Sequence, residues 1–359
     1  MQVTDPTSGN NGRRPASILD VAAAAGVSYQ TVSRVINGHP SVRPATRELV
    51  MAAIEELGFR PNRAARALRG AQAGSVTVLA PNTTLYGYQA ALQGIEEAAR
   101  AAGYFVGVRV VDSDQPLEVA AAVQRAIEPG GSLIVIAYDR TGTMALDAVP
   151  PEIPMAALVE TPAVEPAPDK PWVWLDDRKA AAEATRYLLS LGHRTVHYLA
   201  IPSSTHTSQR QAGWRHALEE SGAPVPAPVQ CGWTPRSGYQ TGQVLAADPE
   251  VTAVLCGNDD LALGVIRALH TAGLSIPGDV SVVGFDDTPV AEFLTPPLTT
   301  VRLDFAGLGR SCFALLLALI EQKEARPHPR RPEPELIIRE SSGPPSLLRG
   351  SGTTRAAAT

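Results

Sequence analysis

The chain has 359 residues, 44% of them hydrophobic and 19% charged, a globular balance with room for two or three domains at roughly 150 residues each. It holds no run of about 18 apolar residues to span a bilayer, its N-terminus is polar without an apolar signal core, and its three cysteines (Cys231, Cys256, Cys312) are dispersed. A membrane protein and a disulfide-framed secreted protein are set aside, and the expected location is the cytoplasm. The formal net charge of −5 argues weakly against a nucleic-acid partner until it is divided along the chain. Residues 1–70 carry nine arginines, no lysine and five acids, which makes +4 and leaves −9 for the rest. A small basic module on a large acidic body is the charge pattern of a DNA-binding head joined to a sensing or catalytic domain.

Residues 1–15 are expected to form a disordered arm and 16–60 a compact helical head. Ser17, three residues before Asp20, resembles a capping box opening a helix over 18–25, with Leu19, Val21 and Ala22 facing inward. Gly26 breaks that helix, and Ser28 is placed to cap a second one over 29–36, whose Val32, Val35 and Ile36 form an apolar stripe. Two short helices about a glycine turn make a helix-turn-helix. Pro44 suits the first turn of a third helix running to Leu57 through Leu49, Val50, Ala53 and Ile54, and Gly58 suits a left-handed cap. The second helix would enter a major groove N-terminus first. Gln30 can then pair with an adenine edge, Arg34 with guanine O6 and N7, and Tyr29 with a base edge or phosphate, while Ser28, Thr31, Ser33 and Asn37 supply phosphate donors.

The uninterrupted stretch ILDVAAAAGVSYQTVSRVINGHPSVRPATRELVMAAIEELGFRPNRAARALRG, residues 18–70, resembles the DNA-binding head and hinge of the LacI/GalR family of transcriptional regulators. Within it SYQTVSRV (28–35) is similar to the family's lac-type recognition helix. The resemblance implies a pseudo-palindromic operator with lac-like half-sites read by Tyr29, Gln30 and Arg34, with Ser17 joining the contact set. It also implies a hinge over 61–74, in which Asn62 begins a short helix, Ala65 and Leu68 face the minor groove, Leu68 wedges between base pairs and Arg66 adds phosphate attraction. So short a helix is expected to form only when two copies pair on DNA.

Over 75–340 short apolar runs alternate with amphipathic stretches. Strands are expected at 75–80, 104–111, 132–137, 195–200, 252–256 and 280–285, with a last one near 336–338; helices are expected at 89–102, 117–127, 178–191, 208–220, 261–272 and 305–321. This alternation implies parallel sheets covered on both faces, and the span is too long for one. The expected class is an α/β core of two Rossmann-like lobes with a small all-α helix-turn-helix domain in front. The family resemblance implies the periplasmic-binding-protein-like version, with three crossovers between lobes. Residues 341–359 are rich in Pro, Gly and Ser and lack leucine heptads, so a disordered tail and a homodimer rather than a tetramer are expected.

A ligand in such a fold sits beyond the carboxyl ends of the strands. Asn258 in GNDD and Asp286 in GFDD offer forked groups for vicinal hydroxyls, Arg210 in RQAGW offers a planar fork, and Trp233 and Phe305 can wall a sugar ring. The resemblance implies that these, with Asp139 from the first lobe, bind a small sugar effector, a galactoside being the first candidate. Leu303 departs from the lac-type pattern, which has a glutamine there, and is expected to face a hydroxyl with an apolar side chain. His206 lies near the loop that carries Arg210. No HExxH, GxSxG, GxxxxGK[ST] or CxxC occurs, no GxGxxG follows a strand, and the seven histidines show no metal spacing, so no metal, cofactor or catalysis is expected. The leading reading is a sugar-controlled regulator, most simply a repressor, of carbohydrate-utilisation genes. Against it stand a sugar-binding protein without a DNA role and a sugar-processing enzyme.

Overall fold

The computed structural model describes residues 16–36, 42–59, 74–127, 131–164, 166–167, 170–204, 208–322 and 333–346. They belong to two compact units divided between Ala73 and Gly74. The expected arm and hinge, with Asn62, Ala65, Arg66 and Leu68, lie outside the described residues, as do Asn37 and His206.

In the first unit local signals place the helices. Helix α1 (Ile18–Ala24) opens on a closed capping box: Ser17 Oγ accepts from the Asp20 amide at 3.3 Å, and the Asp20 carboxylate accepts from the Ser17 amide at 2.7 Å. Gly26, at φ +65°, turns the chain into α2 (Tyr29–Ile36), and Pro44 stands in the first turn of α3 (Pro44–Glu56). Val21, Val32 and Val50 meet fully buried, each contributing about 1.5–3 kcal/mol relative to exposure. The inward placement of Leu19 is corrected: it is 63% exposed, and Leu49 of α3 and Leu57 at its end are exposed as well. The buried stripe of α1 runs through Ile18, Val21, Ala22 and Ala25, and Leu19 stands about 100° away from it. Leu49 is displaced from Val50 in the same way.

The second unit has two lobes. The first is a parallel sheet in the order β2, β1, β3, β4, β5, built from β1 (Ser75–Ala80), β2 (Phe105–Val110), β3 (Ser132–Ala137), β4 (Met155–Val159) and β5 (Trp172–Val173). Helices α4 (Tyr86–Ala101), α5 (Pro116–Ala126) and α6 (Arg140–Asp147) connect successive strands. Helix α7 (Asp177–Ser190) leads into the second lobe, where β6 (His197–Ala200), α8 (Gln209–Glu220), β7 (Val229–Gln230), α9 (Pro235–Ala247), β8 (Ala253–Cys256), α10 (Asp259–Thr271), β9 (Ser281–Asp286) and β10 (Thr299–Arg302) follow. The chain then returns with α11 (Phe305–Ile320), which packs on α4 of the first lobe, and ends with β11 (Glu335–Ile337), antiparallel to β10. The second sheet runs β11, β10, β9, β8, β6, β7. The chain therefore passes between the lobes three times, after β5, after β10 and after α11. Gly94 and Gly309 let α4 and α11 touch: a Cβ on Gly94 would lie 1.9 Å from the Ala306 carbonyl oxygen and one on Gly309 2.2 Å from that of Ala91. This close approach sets Phe305 beside the start of α4.

The start of the expected tail at 341 is also corrected. Ser341 is fully buried; its Oγ accepts from the Thr299 amide at 2.8 Å and donates to the Val282 carbonyl, and its own carbonyl accepts from the Val282 amide. His193 clasps the next residues, its Nε2 3.0 Å from the Gly343 carbonyl and its Nδ1 2.9 Å from Thr252 Oγ1. Small polar residues that read as tail in the sequence here satisfy the exposed ends of β9 and β10.

Candidate functional site

Two surfaces carry the expected chemistry. On the first unit, Ser28 Oγ accepts from the Thr31 amide at 3.2 Å and lies 2.9 Å from Thr31 Oγ1, so the cap that starts α2 also fixes the hydroxyls beside it. Gln30 and Arg34 are exposed one turn apart, and Ser33 and Thr31 are half-buried. Tyr29 is half-buried rather than fully outward, its ring partly enclosed by the head. Ser17 holds the α1 capping box.

On the second unit a cleft of about 810 Å³, its open mouth included, lies at the carboxyl ends of the parallel strands. Arg210, in the first turn of α8, is its electrostatic centre. Its Nε donates to Asp177 Oδ2 at 2.9 Å, its Nη1 donates to the Gly257 carbonyl, and the guanidinium lies 4.4 Å from the centroid of the Phe285 ring. Burial opposes its charge, but the carboxylates of Asp177 and Asp286 outweigh burial and hold it protonated.

Asp286 closes β9 with φ +111°, a left-handed conformation that costs a non-glycine residue on the order of 1–3 kcal/mol. Its Oδ1 stands 3.7 Å from Arg210 Nη1, too far for a hydrogen bond, and is buried with no hydrogen-bond partner among the described residues. Burial pushes this carboxyl well above the usual range, against the pull of Arg210. A strained, buried acid with an unspent oxygen is a group waiting for a donor from a ligand.

Asn258 is the N-cap of α10: its Oδ1 accepts from the Leu261 amide at 2.8 Å and its Nδ2 donates to the Trp233 carbonyl at 3.1 Å. One more amide hydrogen and one more lone pair belong to that side chain. Beneath it, buried Asp259 accepts from Thr300 Oγ1 at 2.6 Å, the Thr288 amide at 2.7 Å and Thr288 Oγ1 at 3.0 Å. Burial nevertheless raises its pKa to about 6, and the hydrogen bonds restrain the rise.

Aromatic rings form the facing wall. Phe305 packs edge-on to Tyr86 at 6.2 Å and tilted to Tyr138 at 5.8 Å, and Tyr138 meets Tyr88 edge-on at 5.3 Å. Tyr138 Oη is buried without a hydrogen-bond partner among the described residues. At the rim Glu160, just past β4, accepts from Ser203 Oγ at 3.0 Å and from the Ser204 amide at 2.8 Å, linking the lobes directly. Burial raises its carboxyl too.

Arg210, Trp233, Asn258, Asp286 and Phe305 thus come together around one cleft. Asp139 does not line it. It caps α6, with Oδ1 accepting from the Gly142 amide at 2.8 Å and Oδ2 accepting from the Tyr88 hydroxyl at 2.9 Å, so it positions a wall residue instead. Leu303 is likewise in the core, 3% exposed, and faces no ligand space. Tyr86, Tyr138, Glu160, Asp177, Asp260 and Thr288 line the cleft and were missed from the sequence. No group of three or more potential metal ligands is found among the described residues.

A helix-turn-helix unit and a two-lobed unit with a polar cleft at the strand ends together define a DNA-binding transcriptional regulator with a ligand-binding body. Comparison with known proteins gives the particular family. Residues 17–62 match the family model of bacterial regulatory proteins, lacI family, and residues 185–342 match that of the periplasmic binding protein-like domain. The lactose operon repressor of Escherichia coli strain K12 is 35% identical over 310 residues, 85% of each chain, and catabolite control protein A of Priestia megaterium is 31% identical over 84% of this chain and 91% of its own. A crystal structure of the Lac repressor bound to ONPG in its repressed state superposes with a TM-score of 0.79 at 32% identity, over 92% of this chain and 100% of the other. The chain belongs to the lacI family of bacterial regulatory proteins.

Proposed function

We propose that this protein is a cytoplasmic, sugar-responsive repressor that acts as a homodimer on pseudo-palindromic operator DNA and has no catalytic activity. Tyr29, Gln30 and Arg34 read each half-site, with Ser17, Ser28, Thr31, Ser33 and Asn37 on phosphates and Asn62, Ala65, Arg66 and Leu68 in the hinge. Arg210, Asn258 and Asp286 hold the hydroxyls of one sugar, and Trp233 and Phe305 cover its apolar faces. The observation that carries the effector reading is the buried, unspent Oδ1 of Asp286 beside a tethered guanidinium and facing rings, an arrangement suited to a polyol ring. Two solved relatives support it: one is described as a Lac repressor bound to ONPG, another as the regulator CelR in complex with cellobiose, at 29% identity and a TM-score of 0.66. A galactoside is the first effector to try.

The dimer has its own support. Strand β2 is the edge of the first sheet, and its Val108 and Val110 are 46% and 51% exposed, whereas strands of a parallel sheet are ordinarily covered on both faces. A second copy covers this edge. Another solved relative, at 30% identity and a TM-score of 0.78, is described as the Lac repressor dimer bound to operator and the anti-inducer ONPF.

A gel-shift titration of full-length protein on a lac-like palindrome with graded sugar tests the whole reading. Specific binding that falls steeply with salt and is released by sugar is expected, because a few arginines on an otherwise acidic protein supply the phosphate attraction. Equal binding to scrambled DNA at physiological salt rejects it.

A further inference from the structure

The charges of the cleft state which sugars it takes. Its walls carry four carboxylates, Glu160, Asp177, Asp260 and Asp286, against one cation, Arg210. That guanidinium is engaged on Nε by Asp177, on Nη1 by the Gly257 carbonyl and across its face by Phe285, which closes the side-on fork through Nε to a phosphate.

Helix N-termini are the competing source of anion affinity, since five helices place first-turn residues on the cleft. Four of them are already capped by side chains: α7 by Asp176, α8 by Ser208, α10 by Asn258 and α11 by Asp304. In each of these, one first-turn amide that could hold a phosphate is spent on the cap, and in two the cap is a carboxylate that repels it. The fifth, α4, opens with the bulky Tyr86 and Tyr88.

Among the described residues that line the cleft, the buried side-chain polar atoms left without a hydrogen-bond partner are one from each lobe, Tyr138 Oη just past β3 and Asp286 Oδ1 at the end of β9. Ionised, the Asp286 carboxyl only accepts, and protonated, as burial favours, it offers one donor and one acceptor; a sugar hydroxyl, which both donates and accepts, meets either form, whereas an ionised phosphate oxygen meets only the second. We propose that the effector is an uncharged sugar, that its phosphorylated and acidic counterparts are rejected by the same walls, and that Tyr138 is a specificity-determining residue which, with Asp286, fastens ligand hydroxyls to both lobes.

This inference rests on the sugar-effector reading, and matched probes separate the two. Full-length protein is titrated at neutral pH with D-galactose, D-galactose 6-phosphate and D-galacturonate, with the corresponding D-glucose set, and with lactose and cellobiose, reading affinity from thermal stabilisation. The uncharged member of a set binds at least tenfold more tightly than its charged partners. Tyr138→Phe weakens the uncharged sugar about three- to tenfold, the range of one net hydrogen bond, and leaves the ligand-free midpoint unchanged or higher, because it removes a buried hydroxyl without a partner. Asp260→Asn narrows the gap between uncharged and phosphorylated sugars severalfold. A phosphorylated or acidic sugar that binds as tightly as its uncharged counterpart overturns the proposal, and unchanged sugar affinity in Tyr138→Phe overturns the assignment of Tyr138. Binding confined to anionic sugars rejects this inference alone, whereas no response to any member rejects the sugar-effector reading and this inference with it.

Discussion

The second lobe brings to the cleft polar groups already held in place, Arg210 by Asp177 and Gly257 and Asn258 by Leu261 and Trp233, whereas the first lobe brings mainly the rings of Tyr86, Tyr88 and Tyr138. The division follows from geometry. Hydroxyl recognition needs donors and acceptors fixed to within fractions of an ångström, and strand ends with capped helices behind them supply that rigidity. Rings need only cover a face, and they do so from the lobe that is joined to the polar set by three crossings and the Glu160 contact with Ser203 and Ser204. On the proposed reading the second lobe supplies most of the hydroxyl recognition, while the first encloses the ligand and adds the Tyr138 hydroxyl, which gives a ligand different purchase on each and hence a means to change their relation.

Arg210→Ala breaks this contrast most severely. It strands Asp177 and Asp286 as buried acids, so a loss of about 3–5 kcal/mol in denaturant unfolding is expected together with loss of every sugar response. If that variant does not fold, Arg210→Lys, which keeps the charge and loses the fork, is expected to fold and still lose sugar affinity at least tenfold.

A second, smaller effect belongs to pH. Asp259 has a folded pKa of about 6 against an ordinary 3.8, so between these values the unfolded chain gives up its proton while the folded one keeps it. Stability thus falls as pH rises from about 4 to about 6, by about 3 kcal/mol for this group. Asp259→Asn is expected to flatten that part of the stability–pH curve, and a curve of unchanged steepness contradicts the assignment.

The smallest effect is in the first lobe. Asp139→Ala removes the α6 cap and the partner of the Tyr88 hydroxyl, with an expected cost of about 1–2 kcal/mol by denaturant unfolding and a reduction in sugar affinity below tenfold. A complete loss of sugar binding in this variant would show that Asp139 itself touches the ligand.

The head was legible almost to the residue, because a capping box, a glycine turn and an N-terminal proline are signals that act within a few residues of their cause. Leu19 misled, since a short helix buries a stripe narrower than its apolar content suggests. In the body, strands rich in Val, Ile and Leu were found, while β4, an alanine-rich MAALV, and the two-residue β5 were not. Those omissions explain the gaps in the site, because Glu160 and Asp177 are recognisable only as the residues that follow β4 and β5. Helix α9 was hidden for a different reason. Gly238 and Gly242 depress its propensity, yet a Cβ on Gly238 would fall 2.2 Å from the Leu261 carbonyl oxygen, so packing on α10 requires what propensity disfavours. Asp139 was a candidate only through the family resemblance; the unanticipated α6 needed a cap, and it took the acid.

Linkage supplies the most direct test of the central claim that the cleft and the operator speak to each other. Calorimetry of the effector sugar with and without saturating operator is expected to show weaker sugar binding on DNA, by the same factor by which the sugar weakens operator binding. Identical sugar affinity in the presence and absence of operator would contradict the account.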